Sequence, residues 1–176
     1  MAGCLVLVVG PSGAGKDTLI RLARSALDRD PRYVFPRRLV TRPPSADEDN
    51  EPIDEADFAQ GHAAGRFTLS WRAHGLGYAL PAEAGRLAEA GHVVVCNVSR
   101  RVVAEARGAC PRVSVVEVTA PPEMLMQRLA ARGRAEDGDL AARLARAVPV
   151  EADLRILNTG APEAGAARLV AHLRAC

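Results

Sequence analysis

The most specific chemistry in the chain is carried by Gly10-Pro11-Ser12-Gly13-Ala14-Gly15-Lys16-Asp17, which fits the spacing GxxxxGK. Glycines at this spacing let successive backbone N–H groups turn inward around phosphate oxygens, and a helix starting at the lysine adds the partial positive charge of its N-terminus. Lys16 then reaches the terminal phosphates of a nucleoside triphosphate. Of the 23 basic residues it is the single lysine, all others being arginine. A position that keeps lysine against such a bias calls for a compact ammonium instead of a planar fork. At Asp17 the pattern expects Ser or Thr as a Mg²⁺ ligand. A carboxylate is a hard oxygen ligand that can contact the ion or its waters. In the alternative reading Asp17 only favours the first helical turn through the dipole, and Thr18 takes the hydroxyl role.

Three further groups suit a second phosphorylated molecule. Arg37-Arg38-Leu39-Val40-Thr41-Arg42 places three arginine forks around a short strand, either to bind phosphate bidentately or as a solvated basic face. Trp71, His74 and Tyr78 gather in one glycine-containing segment, as substrate contacts or as the core of a small insert. Arg128 and Arg132 stand four apart on one helix face, and Arg134 follows in the charged interruption RGRAEDGD. Arginines on a closing flap neutralise charge on a transferring phosphoryl group and exclude water. Arg143 and Arg146 on a following helix extend the same clamp.

The elements that must hold these residues read as an α/β chain. Short β-branched runs alternate with alanine-rich amphipathic stretches, the pattern of a parallel sheet with crossover helices. Strands are expected at Cys4–Val9, Arg38–Thr41, Val93–Val98, Val113–Val118 and Leu154–Leu157. Helices are expected from Lys16 to Asp28, from Pro81 to Gly91, from Pro122, and from Pro162 to Leu173. Between Ile53 and Leu80 a short helix and a hairpin around His74–Gly77 break the alternation, as does the stretch 132–139. Both read as mobile inserts on a rigid base.

Composition excludes several classes. With 176 residues, 48% hydrophobic, the chain is long enough for one domain with a real core. The longest apolar run, Cys4–Val9, is far below the roughly 18 residues of a membrane span, and it lacks the features of a secretory signal. A balance of 23 basic against 21 acidic residues gives no case for nucleic-acid binding. Cys4, Cys96, Cys110 and Cys176 lie far apart in sequence and read as incidental thiols of a reduced cytoplasm.

In the order GPSGAGK, RRLVTRP, WRAHGLGYALP, VVVCNV and APPEMLMQRLAARGR, with a late strand ending in Asn158, the chain resembles the guanylate-kinase-like branch of P-loop kinases. Within the branch, GPSGAGKD with RRLVTRP and AHGLGYALP is similar to the ribose 1,5-bisphosphate phosphokinases. The resemblance implies a three-layer α/β sandwich: a mostly parallel five-stranded sheet in one domain, residues 1–176, with an acceptor-binding insert at about 34–80 and a lid at about 132–139. It also implies phosphorylation of ribose 1,5-bisphosphate by ATP with Mg²⁺, in phosphonate breakdown. Lys16, Arg132 and Arg134 would be catalytic. Gly10 through Thr18 and Arg128 would bind ATP, with Asp17 on the metal. Arg37, Arg38, Thr41, Arg42, Trp71, His74, Tyr78, Asn97 and Arg143 would bind the acceptor. Two departures separate the chain from true guanylate kinases: Ser70 and Asn97 stand where guanine-reading acids belong. The acidic stretch Asp47–Glu51 gains no role. The partners implied are small molecules, with a homodimer left open. The runner-up activity is a nucleoside monophosphate kinase for GMP. A non-catalytic binding module is the third reading, and the retained Lys16 argues against it.

Overall fold

Six consecutive apolar residues leave no polar face to offer solvent, and β1 (Cys4–Val9) is buried along its whole length at the centre of the computed structural model. The structure describes residues 3–43, 49–133 and 148–176. After β1 come α1 (Lys16–Leu27), β2 (Tyr33–Val34), β3 (Arg38–Val40), β4 (Asn50–Pro52), α2 (Glu55–Ala63), β5 (Phe67–Ala73) and β6 (Leu76–Pro81). The second half holds α3 (Ala82–Glu89), β7 (Val93–Asn97), a 3-10 turn (Arg100–Val102), α4 (Val103–Ala109), β8 (Val113–Thr119), α5 (Pro122–Arg132), β9 (Leu154–Leu157) and α6 (Pro162–Ala175).

The main sheet has five strands in the order β2-β7-β1-β8-β9, every pairing parallel. Successive side chains of β1 point to opposite faces. Cys4, Val6 and Val8 pack with Leu19 and Ala23 of α1 and Leu169 and Leu173 of α6. Leu5, Leu7 and Val9 pack with Ala84, Val103 and Ala106 on the other face, together with Leu69, Trp71 and Leu80 of the hairpin strands. Each fully buried leucine contributes about 1.5–3 kcal/mol, so the strand feeding the glycine loop is anchored from both sides.

The α/β architecture agrees with the sequence expectation, and three details correct it. Arg38–Val40 is a strand, but it joins a second sheet of order β4-β3-β6-β5, and the two-residue β2 takes the outer place in the main sheet. The helix Val103–Ala109 was not anticipated. Pro81 ends β6 and precedes α3 instead of lying within it. The hairpin turns at His74-Gly75, where His74 adopts a left-handed φ of 53° and Gly75 one of 76°, the paired positive values of a type I′ turn. Among the described residues no helix is long and apolar enough to cross a membrane.

Candidate active site

β1 delivers the chain to the glycine loop and α1 takes it away, so residues 10–15 form the mouth at the carboxyl end of the sheet, the usual place for ligands in open α/β folds. Gly10, with φ of 144°, lies so near β8 that a Cβ there would stand 2.0 Å from the Val118 carbonyl oxygen. Gly15, with φ of 92°, is the residue before α1, and a Cβ there would meet the Asn158 carboxamide at 2.5 Å. No described side chain caps α1. Its first-turn N–H groups therefore suit an anion. The Lys16 ammonium lies across the loop and donates to the carbonyls of Gly10 at 2.9 Å and Pro11 at 3.0 Å.

Two side chains hold the far side of the loop. Arg128, from α5, donates to the Gly13 carbonyl at 3.1 Å, the Ala14 carbonyl at 3.4 Å and the Asn158 carbonyl at 2.8 Å. The buried Asn158 donates its own carboxamide N–H to the Ala14 carbonyl at 2.8 Å. Arg128 thus touches the loop backbone, and the sequence pattern had placed it beside ATP. Asp17 faces β7: Asn97 Nδ2 donates to its Oδ1 at 2.7 Å.

The second sheet assembles the acceptor-side residues. Arg38 donates through Nε to Asn50 Oδ1 at 3.2 Å and through Nη1 to the Asn97 carbonyl at 3.4 Å, and its guanidinium lies 4.9 Å from the Tyr78 ring centre. Trp71 is buried with its ring stacked on Tyr78, centroids 5.6 Å apart. Arg37 pairs with Asp49 at 2.8 Å and donates to the Asn50 carbonyl at 2.9 Å. Thr41 Oγ1 accepts from Gly77 N–H at 2.8 Å, which ties β3 to the hairpin. Arg42 follows β3, half-buried, while His74 is exposed at the hairpin tip. Ser70 Oγ lies 2.7 Å from Nδ1 of His62. On the outer surface the Arg72 guanidinium holds the Glu55 carboxyl below its ordinary range.

Arg132 closes α5, half-buried. Arg134, Arg143, Arg146 and the proposed lid beyond Gly133 lie outside the described residues. Sequence reasoning assigned nothing to Arg24, Asp49 or Asn50. Asp49 pairs with Arg24 at 2.7 Å as well as with Arg37, so one carboxylate joins α1 to the start of the second sheet. The signal was a stretch of acids opposite a stretch of arginines.

No family model matches the chain. It is 79% identical, over the full length of both chains, to a ribose 1,5-bisphosphate phosphokinase PhnN from Methylobacterium radiotolerans. It is 51% identical to the Bradyrhizobium diazoefficiens protein of the same name, over 98% of this chain and 88% of that one. Among solved structures, the guanylate kinase of Anaplasma phagocytophilum superposes with a TM-score of 0.68 over 99% of this chain and 86% of that one, at 19% identity. That likeness is one of fold.

Proposed function

The chain belongs to the ribose 1,5-bisphosphate phosphokinases, and from that premise we propose that it transfers the γ-phosphoryl group of ATP to the 1-phosphate of α-D-ribose 1,5-bisphosphate. The products are ADP and 5-phosphoribosyl 1-diphosphate, and the step belongs to phosphonate breakdown in the cytoplasm. The observation that carries this reading is the 79% identity over the whole of both chains.

The acceptor oxygen is already anionic near neutral pH, so the reaction asks for no strong general base. Catalysis is then positioning and charge stabilisation. The glycine loop and the N-terminus of α1 receive the ATP phosphates, and Lys16 exchanges its carbonyl partners for phosphate oxygens. Arg128 and Asn158 keep the loop carbonyls occupied and the loop in shape. Arg37, Arg38 and Arg42, in an insert of about residues 34–80, supply fixed positive charge for the two acceptor phosphates, and Arg132 supports the transferring group. The Asp17 carboxylate, a hard oxygen donor beside the phosphate loop, would hold Mg²⁺, which would supply neutralisation of phosphate charge.

On the acceptor side, Ser70 is engaged by His62 and Asn97 by Asp17. Neither offers a carboxylate to guanine N–H groups, and a site without such acceptors discriminates against a base that needs them. The test is ADP release with ribose 1,5-bisphosphate, ribose 5-phosphate, GMP, AMP and gluconate as acceptors. Ribose 1,5-bisphosphate is expected to exceed GMP by at least about 10³ in kcat/KM. Equal turnover of GMP would overturn the substrate while leaving a kinase.

A further inference from the structure

Two positions depart from the phosphate-loop pattern, and the fold puts them in contact. P-loop proteins hold Mg²⁺ through the Ser or Thr that follows the loop lysine and through a strand-borne Asp. In this chain the first position is Asp17, which opens α1 after Lys16. Asn97, read above against a guanine-reading acid, ends β7, the parallel neighbour of β1; that strand end also lies beside the phosphate loop, within reach of a strand-borne metal ligand, and it carries an amide. Periodicity does not relate the two residues, which are 80 apart in sequence, yet the carboxamide of one donates to the carboxylate of the other at 2.7 Å.

We propose that the two departures are a single exchange. The carboxylate of the metal-side pair has crossed from the strand end to the phosphate loop, and Asn97 is the positioning residue that orients it. The inference rests on the ATP site proposed above.

Charge and hydrogen-bond capacity both favour this. An ionised carboxylate only accepts, so the group facing it at hydrogen-bond distance must donate, and the Asn97 NH₂ does. The pair carries one negative charge, as a hydroxyl facing an aspartate would. With Oδ1 of Asp17 fixed by the amide, the carboxylate plane is set and its remaining lone pairs stay available to a hard cation. Asn97 also accepts from Arg38 through its backbone carbonyl at 3.4 Å. The residue that orients the metal-side carboxylate is therefore bonded to an arginine of the acceptor side.

The exchange makes a counter-intuitive demand. Converting Asn97 alone to the acid of the common pattern sets two carboxylates face to face, and they repel. Asn97→Asp should therefore harm the site, and Asp17→Ser in the same chain should repair it.

The experiment compares wild type, Asp17→Ser, Asn97→Asp and the double variant by calorimetric titration of ADP with and without Mn²⁺. No acceptor is present, so the outcome is independent of which molecule is phosphorylated. The quantity read is the ratio of the two ADP affinities, with thermal melting as the check on folding. Each single variant is expected to lower the Mn²⁺-dependent gain at least about tenfold, the usual cost of losing an outer partner or a ligand. The double variant is expected to return within about threefold of wild type, the signature of coupled positions in a mutant cycle. A wild-type ratio in Asn97→Asp, or a double variant no better than the worse single, overturns the exchange. If the double variant does not melt cooperatively, Asn97→Ala decides instead: it removes the donor without adding charge, and an unchanged ratio there also overturns the proposal.

Discussion

The two ends of the main sheet are built from the same parallel strands and treat polar groups in opposite ways. At the carboxyl ends lie the glycine loop, Lys16, Asp17, Asn97 and Asn158, whose partners are mostly backbone carbonyls or one another. At the amino ends lie Cys4, Ser114, Asp153, His172 and Cys176. Ser114 Oγ is 2.8 Å from Nε2 of His172 and 3.4 Å from Asp153 Oδ2, and Asp153 also accepts from Val115 N–H at 2.7 Å. Serine, histidine and aspartate are thus assembled, but the aspartate bonds the serine and the backbone instead of orienting the histidine. Ser114 is also only 9% exposed. Residue types alone therefore mislead. Helix N-termini and backbone N–H groups gather at the carboxyl ends of parallel strands, and that is where an anion can be received.

The sharpest way to break this contrast is to remove the cation at the loop. Lys16→Ala is expected to lower turnover at least about 10²-fold, as the proposed role of the ammonium in stabilising charge on the transferring group requires. Near-normal ADP release from a folded variant would remove the loop from the chemistry. A smaller effect is expected from Arg128→Ala, which deletes three bonds to carbonyls of the loop region and leaves Lys16 in place. We expect KM for ATP to rise about tenfold, equivalent to about 1.4 kcal/mol, with KM for the acceptor little changed. Steady-state kinetics that move the acceptor constant instead would place Arg128 on the other side of the cleft.

At the amino ends the expected effects concern stability and reactivity. Burial, only partly opposed by the Asp153 charge, pushes the His172 imidazole below its ordinary value of 6.5. The unfolded chain then takes up this proton at a higher pH than the folded one, so stability falls as pH drops from about 6.5 toward the folded value. His172→Gln should flatten that part of a Tm–pH profile without altering ADP release at neutral pH. An identical profile in the variant would mean that another group is titrating. The smallest effect is chemical. A hydrogen bond with the Cys4 thiol, assisted by the Arg112 charge, brings the Cys176 thiol below its ordinary value, whereas Cys4 and the buried Cys96 are pushed up. Iodoacetamide should modify Cys176 first, with a rate midpoint below that of an ordinary thiol. Labelling Cys4 at the same rate would contradict the pairing.

The strand–loop–helix unit was legible in the sequence because its local rules agree: an unbroken apolar strand, glycines at fixed spacing and an amphipathic stripe with Leu19 and Ala23. The second sheet was not. Arg38–Val40 is three residues long, and so short a run does not say which sheet it joins; Tyr33–Val34 is too short to show any period. Val103–Ala109 buries only Val103 and Ala106, too narrow a stripe to announce a helix. The glycine loop was readable residue by residue, but the contacts of Asp17 with Asn97 and of Asp49 with two arginines depend on the crossover topology. Cys4 and Cys176 are likewise at opposite ends of the sequence and meet only because α6 ends beside the start of β1.

Because arginine fills every other basic position, Lys16 is the one side-chain primary amine in the chain. Acylating reagents that ignore guanidinium groups therefore have a single side chain to modify, and it lies across the mouth of the loop between the carbonyls of Gly10 and Pro11. The protein carries a built-in attachment point: beyond the acyl group taken by the α-amine of the chain, one further acyl group per molecule marks Lys16, and its loss on adding nucleotide would report occupancy of the loop by intact mass.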